Sequence, residues 1–213
     1  MNIKLAVETV GGLTSNSKMV VSSTGLPTSL CKTGSKLRSC EGSVCSDCYA
    51  DKGFAKVFKT NVDKARFRRV EALKHKAWVS SWVYILQNKK EYKTHKIMRW
   101  QDSGDLQDKQ HLDNIIEVAR RTPEIIHWLP TKESKLVKEL DGNYPDNLII
   151  RLSGSMIDGK APKFTHTSTV TTDINKVTCK ASLPSNHPDK LDGCGDCRQC
   201  WQTNVSNVAY YKH

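Results

Sequence analysis

The chain has 213 residues, 38% of them hydrophobic and 26% charged, enough for one substantial core and short for two full domains. No apolar run approaches the length of a membrane span, and the N-terminal apolar run is too short for a secretory signal, which predicts an intracellular protein with no membrane partner. The net charge of +11, with a pI of about 9.3, predicts attraction to polyanions, most simply nucleic acid.

In chain order, Met19-Val20-Val21 reads as a short strand feeding a Gly- and Ser-rich loop. That loop runs into the first of two cysteine groups, Cys31, Cys40, Cys45 and Cys48. From Val57 to Gln87 there is no Gly or Pro, and Val70, Leu73, Ala77, Ser81 and Tyr84 recur at helical steps. This predicts one long helix, or two with a bend, with Trp78 and Trp82 in the core. The stretch from Lys52 to Lys76 carries nine Lys and Arg against Asp63 and Glu71. It reads either as a solvated helix face or as a phosphate-tracking surface using Arg66, Arg68 and Arg69.

The period then changes. Lys96–Gln101, Ile125–Leu129 and Leu148–Leu152 read as strands, and Asp108–Arg121 and Lys132–Leu140 as the helices between them. One more strand is predicted within Phe164–Thr172. Alternation at this spacing predicts an α/β fold with parallel strands and right-handed crossovers. The chain supplies too few units for a full barrel, so a single domain built as a partial or reduced (β/α) barrel is expected. In that domain, residues 31–50 form the N-terminal cysteine loop, 96–175 the β/α core and 179–201 a C-terminal cysteine cap. The polar strand ends Asp102–Asp105, Thr131-Lys132 and Ser153-Gly154-Ser155 lie where such sheets place their sites.

All eight cysteines fall into two groups separated by about 130 residues without one. Cys40, Cys45 and Cys48 form C-x4-C-x2-C, with Cys31 upstream; Cys194, Cys197 and Cys200 form C-x2-C-x2-C, with Cys179 upstream. Each group can supply four thiolates to a metal or cluster, and a reducing compartment favours this over disulfides. The first spacing is that of a ferredoxin loop and favours an iron–sulfur cluster over zinc. For the second group, iron–sulfur and zinc stay open. His187 is the one histidine near the cysteines in sequence, and beside Pro188 it reads as a turn residue.

Several motifs together resemble a bacteriophage family known as gene product 88. They are Cys45-Ser-Asp-Cys48-Tyr49-Ala50, Asp102-Ser-Gly-Asp105, Ala119-Arg-Arg-Thr-Pro123, Thr131-Lys132-Glu133 and Cys194-Gly-Asp-Cys-Arg-Gln-Cys-Trp201. That family in turn looks like a shortened relative of the radical S-adenosylmethionine enzymes. The resemblance implies a [4Fe–4S] cluster on Cys40, Cys45 and Cys48, with one iron open to S-adenosylmethionine. Tyr49 would stand beside it, Ser103, Gly104 and Asp105 would receive the cofactor's amino group, and Thr131, Lys132, Arg151 and Ser153 would line the same face. The usual radical-enzyme spacing is C-x3-C-x2-C, and Cys31 could close the cluster as a fourth ligand. The implied location is the host cytoplasm. The alternative function is a cysteine-stabilised nucleic-acid-binding module; a host protein is a further candidate partner.

Overall fold

The computed structural model describes residues 1–212, with Phe54 described by its backbone alone. The helices are α1 (Ile3–Thr9), α2 (Lys32–Leu37), α3 (Phe54–Val57), α4 (Lys59–Ala72), α5 (Trp78–Asn88), α6 (Lys90–His95), α7 (Lys109–Arg120) and α8 (Ser134–Lys138). The strands are β1 (Ile97–Arg99), β2 (Ile126–Thr131), β3 (Leu148–Ile157), β4 (Thr167–Thr171) and β5 (Asn207–Tyr211). They form one sheet in the order β1-β2-β3-β4-β5, every neighbouring pair parallel, curled into a half-barrel. This is the partial parallel barrel that the alternating periods predict.

The stretch expected as one long helix, or two with a bend, carries two main helices. Helix α4 ends at Ala72 and α5 starts at Trp78, with turns over Leu73–Ala77. The apolar stripe that crosses the break belongs largely to α5, where Trp78, Trp82, Ile85 and Leu86 are buried. The strand expected at Met19–Val21 shrinks to single bridges at Ser23, one of them parallel to Arg99 on the outer side of β1. Asp108 caps α7 by accepting from the His111 N–H at 2.8 Å, as an N-cap Asp does. The second cysteine group does not end the fold: β5 follows it and completes the sheet.

One face of the sheet is covered by α5 and α7. There Trp78, Trp82 and Trp100 pack edge and face, with ring centroids 5.0–6.1 Å apart. His127 of β2 bridges Trp100 Nε1 (3.2 Å) and Thr122 Oγ1 (2.9 Å) on this side. The other face is covered by the C-terminal cysteine loop. Trp201 packs on Trp128 of β2 at 5.1 Å and donates its indole N–H to the Met98 carbonyl at 2.8 Å. Arg151 of β3, fully buried, donates to five carbonyls: Cys200, Gln199, Gln202, Val205 and Thr167. A buried guanidinium with its donors spent in this way fixes the loop to the sheet.

Candidate functional site: two thiol groups on a half-barrel

The first cysteine loop is tied to the C-terminal ends of the strands at three places. Segment 23–26 is zipped onto the end of β1: Ser23 Oγ donates to Asp102 Oδ2 (2.6 Å), Asp102 N to Thr24 O (2.8 Å) and Leu26 N to Ser103 O (2.8 Å). Approach here is so close that a Cβ on Gly104, which has φ of +70°, would lie 2.6 Å from the Leu26 carbonyl oxygen. Residues 42–44 run antiparallel to the tip of β3, through Val44 N to Ser155 O and Ile157 N to Gly42 O. Finally, Glu133, just after β2, accepts from Thr33 N (2.8 Å) and Thr33 Oγ1 (2.9 Å) in the first turn of α2.

These ties bring Cys31 and Cys45 to either side of Gly34. Cys31 caps α2, and a Cβ placed on Gly34 would lie 3.7 Å from Cys31 Sγ and 3.5 Å from Cys45 Sγ. Burial pushes the Cys31 thiol up to about 12, reinforced by Asp105, Cys48 and Cys45. The Cys45 thiol is raised mainly by burial, against the pull of Lys132. Cys40 is exposed, with its sulfur 3.9 Å from the Glu41 carbonyl. Cys40, the first member of the compact motif, is thus exposed, while Cys31, expected as an optional fourth member, flanks Gly34 together with Cys45.

Beside these sulfurs lie Asp105 and Lys132. Asp105 accepts from Thr131 Oγ1 (2.5 Å), Lys132 N (2.8 Å) and Leu106 N (2.8 Å). Burial outweighs these bonds and raises its carboxyl to about 6. Lys132 donates to the Gly154 carbonyl; burial lowers its pKa against the opposing charges of Cys45, Asp105, Cys48 and Cys31. Tyr49 hydroxyl donates to the Asp102 carbonyl (2.5 Å), and Ser103 Oγ to the Leu26 carbonyl (3.2 Å). Ser153 Oγ accepts from Ser168 Oγ at 3.1 Å. Of the residues expected to line a cofactor site, Arg151 does not: all its nitrogens are committed to the C-terminal loop.

The second group belongs to the loop that covers the sheet face opposite α5 and α7, with Cys197 exposed. Cys200 is buried, its sulfur 3.2 Å from the Tyr210 hydroxyl, and Cys194 Sγ lies 3.7 Å from Met19 Sδ. Burial raises Cys200 to about 12, and Cys179 and Cys194 also upward. His187 accepts the Asp189 N–H in a turn, as its place beside Pro188 predicts.

Among the described residues, no three His, Cys, Asp or Glu side chains stand so that they could hold a single metal ion. Zinc at about 2.3 Å from each thiolate requires sulfurs about 3.8 Å apart. A cubane is wider and holds its sulfurs farther apart, and the donors on offer are all soft thiols. Gly34 packs closely against both Cys31 and Cys45, since a Cβ there would meet Cys31 Cβ at 3.0 Å and Cys45 Sγ at 3.5 Å.

The arginines of α4 are not a free basic face. Arg66 donates to Ala50 O (3.1 Å), and Arg69 to Gly12 O, Gly25 O and Leu13 O (3.0–3.2 Å), both buried. Arg68 donates to Gly11 O at 3.0 Å while staying exposed. Periodicity could not reveal this, because their acceptors lie up to 57 residues away. Sequence reasoning also passed over Glu133 and Arg99 as site residues; Glu133 lies next to Lys132, while nothing near Arg99 in sequence marks it.

Fold and site define a parallel half-barrel protein with one thiol-rich group at the strand ends and another on the face opposite the helices. The family model described as Gene product 88 matches residues 2–203, and the chain belongs to that phage family. No curated protein and no solved structure matches it. No helix among the described residues is long and apolar enough to cross a membrane.

Proposed function

We propose that this chain is an iron–sulfur protein on a radical-enzyme-like half-barrel, with a [4Fe–4S] cluster on Cys31, Cys45 and Cys48 and S-adenosylmethionine at the adjoining strand ends. The observation that carries the reading is that Cys31 and Cys45 flank Gly34 on a loop held to the strand ends by Glu133. They lie at the edge where parallel sheets hold their ligands. Bound there, the cluster would supply the electron that breaks the cofactor's sulfonium bond.

The chain's own residues do the positioning. Lys132 offsets the negative charge of the thiolates, and Glu133 holds the helix that Cys31 caps. Gly104 lets the Cys31 loop lie against the end of β1, leaving Ser103, Asp105 and Thr131 around the same point. The second group supplies four further thiols for a second centre, an iron–sulfur cluster or zinc. The host cytoplasm, where thiols stay reduced, suits both. Nucleic-acid binding through Arg66, Arg68 and Arg69 has less support, since these guanidinium groups are bonded to backbone carbonyls.

Anaerobic purification followed by analysis for iron, acid-labile sulfide and zinc tests the cluster. A brown protein with iron and sulfide in equal amounts is expected. A colourless protein carrying only zinc would sink the reading. Incubation with S-adenosylmethionine and reductant is expected to give deoxyadenosine; its absence from the iron-loaded protein removes the enzymatic part alone.

A further inference from the structure

Arg99 is the last residue of β1 and stands at the C-terminal end of the sheet, where parallel strands hold their ligands. It pairs with Trp128 in the register of β1 and β2, and its guanidinium covers the Trp128 ring at 4.6 Å from the centroid. The ring face offsets part of the positive charge but gives the in-plane N–H groups no acceptor. Arg99 Nε is buried without a hydrogen-bond partner, and so is the indole Nε1 of Trp128, a residue only 5% exposed. Among the described residues Arg99 forms no salt bridge. Asp102, the acid closest to it in sequence, accepts instead from Ser23 Oγ at 2.6 Å. Folded proteins pair nearly all their buried donors, and a shielded cation without a counter-ion is costly.

The Nε–H and one Nη2–H of a guanidinium project along a single edge, a fork that matches two oxygens of a carboxylate or phosphate. On Arg99 that edge carries one donor without an acceptor and one held only by a long contact, 3.4 Å from Nη2 to the Tyr49 hydroxyl. Tyr49 is itself 53% exposed, and Arg99 is partly exposed, so the edge lies just inside the surface of the molecule. We propose that Arg99, together with the Trp128 indole N–H, binds the carboxylate or phosphate group of a small anionic ligand that enters past Tyr49. The anion answers the charge and takes the donors that the protein leaves unpaired. No thiol takes part, so the inference is independent of what either cysteine group holds and of the reading under Proposed function.

Isothermal titration calorimetry on the full chain, at fixed ionic strength in chloride, tests the site with inorganic phosphate in one arm and acetate in the other. Saturable binding of one anion per chain is expected in at least one arm, and the arm that binds identifies the group recognised. Arg99→Gln, which lacks both the charge and the fork, is expected to weaken this binding at least about 10-fold. Trp128→Phe, which keeps a ring under the guanidinium and removes only the donor, is expected to weaken it several-fold. Lys64→Gln, at an exposed lysine of α4, is expected to leave it unchanged. Far-UV circular dichroism identifies which variants fold. No saturable binding in either arm overturns the proposal, as does parental affinity in whichever of Arg99→Gln and Trp128→Phe folds. An equal loss in Lys64→Gln also overturns it, since the anion would then be answering the general basic charge of the surface.

Discussion

Glu133 holds Thr33 by two hydrogen bonds, to the backbone N–H and to the hydroxyl, across 100 residues of chain. Glu133 is 8% exposed, so these bonds are made largely out of water. They set α2, and with it Cys31, against the end of β2. Glu133→Ala would strand both Thr33 donors at a cost of about 1–3 kcal/mol. Urea unfolding is expected to show this loss, and the iron content of the reconstituted protein to fall with it. Full iron content in the folded variant would mean that Cys31 needs no such anchor.

On the proposed reading the first centre takes Cys31, which flanks Gly34 with Cys45, and not the exposed Cys40. Cys31→Ser, Cys45→Ser and Cys48→Ser are each expected to abolish the visible absorption of the first centre. Cys40→Ser is expected to leave it in place. Ultraviolet–visible spectra of the four anaerobic variants decide, and the opposite pattern for Cys31 and Cys40 would restore the compact motif as the ligand set.

Gly34 sets two effects against each other. Alanine in a helix is favoured over glycine by about 1 kcal/mol. The added Cβ would meet Cys31 Cβ at 3.0 Å and Cys45 Sγ at 3.5 Å. Gly34→Ala is therefore expected to leave the melting temperature of the metal-free protein nearly unchanged while lowering iron per chain at least several-fold. Thermal melts and iron analysis on one preparation separate the two.

Arg151 is the pin of the C-terminal loop. Arg151→Met would strand carbonyls that now receive five donors and is expected to destabilise the protein by at least about 3 kcal/mol. Arg151→Lys has too few donors, without the planar fork, and is expected to recover only part. Urea titration of both variants checks the order.

Asp105 makes stability depend on pH. Burial raises its carboxyl from 3.8 to about 6, so the folded state binds the proton more tightly than the unfolded state. Its contribution is full below about 3.8 and is lost as pH rises through about 6. The span corresponds to about 3 kcal/mol at most. Asp105→Asn is expected to flatten the stability of the metal-free protein over this range. An unchanged slope in urea unfolding between pH 4 and about 7 would show that another group carries it.

The amino-acid sequence by itself determined the elements of the sheet and the existence of two thiol groups. Periods of 3.6 and 2 residues are local properties, and they show in α7, in β1 to β4 and in the clustering of eight cysteines. Only the tertiary structure decided that Cys31 and Cys45 flank Gly34, because Cys31 is placed by Glu133 and by the 23–26 zipper rather than by its distance from Cys45 along the chain. It also decided the fates of three arginines: Arg66 and Arg69 went inward to carbonyls, and Arg151 to the C-terminal loop. The strand β5 escaped a local reading for the same reason: Asn207–Tyr211 is a strand because β4 offers it a parallel edge. Hydrogen bonds between distant segments are satisfied only when the chain has closed on itself, and no local pattern encodes their partners.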